Sequence, residues 1–180
     1  MGTFWPLLGW LGGPARGWPV VEDMRRQIEA VRERVVAARM PLLRVFCEEW
    51  GKPVIASQGW VLELVEAVGG EFVGQPGKQV TPEEVRAADP DVLVAAWCGA
   101  GERVPLEKIV AQRGWGDLRA VREGRVFCIA DEFLNTPAPT LLQGLRALAA
   151  ALHPSLFPEN IVPRAIRADA LVLPVQEKFS

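Results

Sequence analysis

The chain has no tyrosine, one histidine and three cysteines in 180 residues. Cys47, Cys98 and Cys128 show no CxxC spacing, so neither a disulfide framework nor a zinc site is indicated. Cys47 and Cys128 lie in apolar runs and read as small buried hydrophobes. Cys98, just past Ala95-Ala96-Trp97, is the one cysteine placed where a soft metal could reach it. His153 stands alone at the end of a helical run, where it reads as a partner for the helix dipole. No GxSxG, P-loop or HExxH pattern occurs. Basic and acidic side chains nearly cancel, 20 against 22, which removes the electrostatic case for nucleic acid. No stretch approaches the roughly 20 apolar residues of a membrane span. Residues 1–13 are apolar but lack a basic n-region and a small-x-small cleavage site, and Pro6 interrupts them. The chain as written therefore carries no export signal and reads as cytoplasmic unless it is a fragment.

What is present is alternation. Residues 1–19 hold five Gly, three Pro and three Trp and read as irregular. Residues 20–40 have neither Gly nor Pro, and Val21, Met24, Ile28, Val31 and Val35 recur at helical spacing, which predicts one long amphipathic helix ended by Pro41. Residues 42–47 form a strand running into Glu48-Glu49-Trp50. A helix over 60–68 closes on Gly69-Gly70, and Glu71-Phe72-Val73 is a short strand. Thr81-Pro82-Glu83-Glu84 reads as a capped helix start, with Glu83 assigned to the capping box. Residues 92–96 are wholly apolar, the pattern of a strand buried on both faces of a parallel sheet. Short helices over 105–112 and 116–121 precede a last strand over 125–130, and a helix over 139–152 follows. The expected fold is α/β: a Rossmann-like parallel sheet of about four strands flanked by helices, preceded by the long helix. Residues 41–153 make up this α/β unit and 154–180 a Pro-broken tail.

Ligands of such sheets sit beyond the carboxyl ends of the strands. That rule selects Glu48, Glu49 and Trp50, then Trp97 and Cys98, then Asp131, Phe133 and Asn135. The carboxylates Glu48, Glu49, Asp131 and Glu132 invite acid–base or hard-metal chemistry, but a nucleophile–base pair is missing and no residue is assigned as catalytic or as a metal ligand. Trp50, Trp97 and Phe133 each follow a strand end. An aromatic rim of that kind gives a large flat ligand contact area at little rotamer cost.

The ordered motifs resemble one family. They are Phe46-Cys47-Glu48-Glu49-Trp50, Gly59-Trp60-Val61 with Gly69-Gly70, Val80-Thr81-Pro82-Glu83-Glu84-Val85, Asp89-Pro90-Asp91-Val92, Leu118-Arg119-Ala120-Val121-Arg122-Glu123-Gly124, and Asn135-Thr136-Pro137-Ala138-Pro139. Together they look like the second half of the class III solute-binding proteins of ABC importers, especially the branch for cobalamin and iron chelates. The resemblance implies an extracytoplasmic, non-catalytic lobe with Glu48, Trp50, Trp97, Asp131 and Phe133 facing the ligand. It implies cobalamin or a ferric chelate as ligand, no covalently bound cofactor, and an ABC permease as partner, docked through Glu83. Residues 20–40 resemble the backbone helix that joins the two lobes, and 1–19 a remnant of the first.

Three features depart from the family pattern. Pro139-Thr140 stands where Pro-Arg is usual, Gly77-Lys78 replaces an aromatic, and the first lobe is absent. Without that lobe, Trp5, Trp10, Trp18 and the Val21-Met24-Ile28 stripe are expected to be uncovered and to drive homo-oligomerisation. Two other readings stand beside this one. One is a cytosolic metal-assisted α/β enzyme using the acidic rim; the other is an interaction module with no small ligand.

Overall fold

The computed structural model describes residues 14–167. Helix α1 (Pro14–Ala37) leads into β1 (Leu43–Gly51), β2 (Val54–Ala56), α2 (Gly59–Ala67), β3 (Gly70–Phe72), α3 (Pro82–Ala88) and β4 (Val92–Ala95). Then follow α4 (Leu106–Arg113), α5 (Arg119–Arg122), β5 (Val126–Cys128), a 3-10 turn (Asp131–Phe133), α6 (Leu141–Leu152) and β6 (Arg164–Ala165). Strand β1 is the hub: its first half pairs with β3 in parallel, its second half with β2 antiparallel, and its other edge with β4 in parallel. Strand β5 extends the parallel order beyond β4, and β6 closes that edge antiparallel. The expected parallel sheet is thus β3-β1-β4-β5, with β2 and β6 added at the margins.

Strands β4 and β5 and the middle of β1 are buried on both faces, which is why they read as apolar runs. Val45, Cys47, Val92, Val94, Phe127 and Ile129 point toward α1, α2 and α6. Phe46, Leu93, Ala95, Val126 and Cys128 point the other way, toward α3, α4 and α5. Trp115 anchors that second layer, buried edge-on to Phe46 with ring centroids 6.3 Å apart.

Helix α1 differs from its predicted bounds at both ends. It begins at Pro14, six residues early, with Pro19 inside it, and it ends at Ala37. Arg39 takes the left-handed position (φ 51°), and the Met40 N–H reaches back to the Val35 carbonyl, a closure usually signalled by glycine. The Val21-Met24 part of the stripe is not uncovered: both are 1% exposed and pack against α2 and α6, with Ile28 partly buried beside them. The self-association expected from a bare stripe loses that basis, although Trp18 is 49% exposed. Trp5 and Trp10 lie outside the described residues.

Two further expectations change. The tail read as a Pro-broken extension contributes β6, held by Arg164, whose guanidinium donates to the Glu102 and Val104 carbonyls. His153 is buried and its Nε2 lies 2.9 Å from the Val68 carbonyl. Burial pushes its pKa down, so it is a neutral packing residue and not a charge at the helix end.

Candidate functional site

The three strand-end clusters meet. Asp131 accepts from the Gly99 N–H at 2.8 Å and the Gly101 N–H at 3.0 Å, which clamps the loop after β4. Both glycines have positive φ, a backbone state that side chains resist, and this lets two N–H groups turn toward one carboxylate. The Asn135 amide donates to the Ala96 carbonyl at 2.6 Å and to Cys98 Sγ at 3.2 Å. Its Oδ1 is buried and has no hydrogen-bond partner among the described residues. Cys98 Sγ lies 3.9 Å from Glu49 Oε1, and the other Glu49 oxygen accepts from Gln58 at 2.9 Å. Desolvation raises the Cys98 pKa, and the Glu49 and Asp131 charges raise it further, so the exposed sulfur is a protonated thiol.

Glu48 lies beneath this rim, not on it. It is 2% exposed, and Arg113 holds it in a two-pronged ion pair at 2.6 and 2.7 Å. The Trp97 indole N–H donates to it at 2.8 Å. Glu48 therefore offers no open oxygen to a ligand; it fixes the Trp97 ring. Arg113 also stacks on Trp115, 4.7 Å from the ring centroid, and Trp115 donates to the Pro82 carbonyl at 3.1 Å. A β-bulge between Glu48 and Trp50 breaks the alternation of β1. Trp50 is 44% exposed, its indole N–H tied to the Lys52 carbonyl at 2.9 Å. Sequence reasoning missed Arg113 and Gln58; partners 65 and 9 residues away leave no local signal.

Phe133 does not join the rim. It packs with the core on the α1 and α6 side and lines a separate groove with Val31, Arg146 and Phe157. Glu132 is exposed, and among the described residues no three His, Cys, Asp or Glu side chains converge as a metal-ligand group.

An open groove of about 910 Å³ runs from the rim between the β1–β2 hairpin and α4. Trp50, Lys52, Pro53, Trp97, Lys108 and Arg113 are among its walls, and it reaches Thr81 and Pro82 at the start of α3. The capping box there is made by Glu84: Thr81 Oγ1 accepts from the Glu84 N–H, and the Glu84 carboxylate accepts from the Thr81 N–H. Glu83 is not the capping glutamate; it occupies the next position toward the N-terminus and is exposed.

The parallel strands of this sheet thus carry two tryptophans with fixed indoles to one edge, the edge at which ligands of such sheets sit. The chain belongs to the family described as Periplasmic binding protein, whose profile matches residues 9–132. It is 26% identical over 161 residues to the uncharacterized ABC transporter substrate-binding lipoprotein YvrC of Bacillus subtilis, covering 85% of this chain and 50% of that protein. The fold matches a periplasmic heme binding protein from Pseudomonas aeruginosa (TM-score 0.71, 22% identity, 93% of this chain and 61% of that one). It also matches the periplasmic vitamin B12 binding protein BtuF of Vibrio cholerae (TM-score 0.60, 23% identity, 84% of this chain and 59% of that one). The chain thus spans about half the length of the curated relative it matches.

Proposed function

We propose that this chain supplies one wall of the ligand cleft of an extracytoplasmic, non-catalytic substrate-binding component of an ABC importer, for cobalamin or an iron chelate such as haem. The observation that carries the reading is the convergence of Glu49, Trp97, Cys98, Asp131 and Asn135 at the carboxyl ends of β1, β4 and β5, beside an open groove. Trp97 is the ligand-facing aromatic, with Glu48 and Arg113 as its positioning residues. Glu83, exposed and free of the cap, docks onto arginines of the permease, where a carboxylate steers and orients the encounter. An open groove at the rim, not a loop-filled one, favours this over an interaction module without a small ligand.

The test is tryptophan quenching on titration with cyanocobalamin, a ferric hydroxamate and haemin. Saturable quenching by one of them, weakened by Trp97→Ala, is the expected result. Absence of quenching by all three sinks the reading.

A further inference from the structure

The groove beside the rim has a charge of its own. Among the described residues that line it, the charged ones are Lys52, Lys108 and Arg113, all cationic. The carboxylates of the strand-end loops, Glu49, Asp131 and Glu132, are not part of its wall. Arg113 is already matched by the buried carboxylate of Glu48. That leaves Lys52 and Lys108, both exposed and without an ion-pair partner among the described residues.

The aromatic walls are fixed independently of that charge. Each indole has its one polar atom occupied, Trp50 by the Lys52 carbonyl and Trp97 by Glu48, so neither N–H seeks a ligand and both rings present apolar area. Trp97 is also held at Gly51, where an added Cβ would come within 2.4 Å of the ring. At about 910 Å³ the groove falls in the range of small-molecule sites, roughly 300–1,000 Å³. Pinned aromatic surface next to unpaired ammonium groups suits a ring system that carries negative charge.

We propose that this groove binds the planar ring system of an organic anion, with the rings against Trp50 and Trp97 and a carboxylate, phosphate or sulfonate held by Lys52 and Lys108. The assignment rests on the binding-lobe reading above and narrows it, because it selects anionic ligands from the chelates and corrinoids considered there. It concerns the α4 side of the rim and uses none of Glu49, Asp131 or Asn135.

Two probes with one ring system and opposite charge test it: 1-pyrenesulfonate and 1-pyrenemethylammonium, titrated into the full chain and followed by tryptophan emission and pyrene anisotropy. The sulfonate binds about tenfold more tightly than the ammonium, and added salt erodes the difference, since the lysines are exposed and screened. The double variant Lys52→Gln/Lys108→Gln, at exposed positions that leave the melting temperature in place, abolishes the preference. Trp50→Ala weakens both probes. Equal binding of the two pyrenes, or a preference that survives the double lysine variant, overturns the proposal. Haemin and cyanocobalamin titrated alongside separate it from the transport reading. Pyrenesulfonate preference without chelate binding keeps the groove and sinks the importer role. Haemin binding that ignores the lysine changes keeps the importer role and sinks the groove.

Discussion

Arg113 closes both terminal nitrogens onto the carboxylate of Glu48, with 10% and 3% of the two side chains exposed. A pair this buried contributes modestly as a pair, but loss of one member strands a charge in the interior. Arg113→Met is expected to cost about 3–5 kcal/mol, read from urea or thermal unfolding. Adding Glu48→Gln recovers a large part of that, because glutamine still accepts from Trp97 without carrying charge. Near-UV circular dichroism of the double variant reports whether Trp97 keeps its place.

Gly51→Ala tests the seat of the same indole directly. The new methyl would lie 2.4 Å from the Trp97 ring, so the ring must move off β1. The expected loss is about 1–3 kcal/mol of stability, with a shift in tryptophan emission and weaker ligand quenching. Unchanged emission would mean that Gly51 does not seat the ring.

Gly144→Ala probes the other side of the sheet, where Phe133 packs. Its Cβ would meet the Phe133 carbonyl oxygen at 2.2 Å, and backbone gives way less easily than a side chain. Thermal unfolding should show a drop at the upper end of that about 1–3 kcal/mol range. Chelate quenching at Trp97 should survive in the fraction that remains folded, because Phe133 is not part of the rim.

His153 sets a pH dependence. Burial lowers its folded pKa below the unfolded value of about 6.5, while the Val68 hydrogen bond partly opposes this. The unfolded chain therefore binds the proton more readily, and stability rises with pH through this window. The contribution is fully present above about pH 6.5 and is lost as pH falls through the folded pKa. Urea midpoints measured from pH 7.5 to 5 should decline, and His153→Asn should flatten the decline. Because the chain has no other histidine, the result is easy to assign.

Thr81 and Glu83, at the start of α3, separate capping from docking. Thr81→Ala removes the N-cap acceptor and should lower stability by about 1 kcal/mol. Glu83→Gln should leave the melting temperature in place yet weaken association with permease-containing vesicles. If Glu83→Gln lowers the melting temperature as Thr81→Ala does, Glu83 has a structural role and the docking assignment is wrong.

The parallel core was readable because a sheet buried on both faces must be apolar throughout, as residues 92–96 are. The meeting of Glu49, Trp97, Cys98, Asp131 and Asn135 was readable for a topological reason: parallel strands deliver their carboxyl ends to one edge. What the sequence hid was which way each side chain turns there. A bulge after Glu48 and an arginine on α4 decide that Glu48 points into the core while Trp50 faces solvent. Phe133 looked equivalent to the two tryptophans by its place after a strand, but the 3-10 turn carries it to the opposite face. The start of α1 was hidden by Gly17 and Pro19, and its end by an arginine standing where glycine was expected.

Strand β6 is only two residues long, yet it lies along the outer edge of β5, whose Val126, Phe127 and Cys128 are all buried. Without it, β5 would present a row of unpaired backbone groups flanked by apolar side chains, a ready template for strand addition from another molecule. Arg164 fastens this short selvedge to the Glu102 and Val104 carbonyls. The two residues of β6 thus cover an edge otherwise open to strand addition, and shortening the chain to residue 163 should show its effect as time-dependent light scattering before any change in ligand affinity.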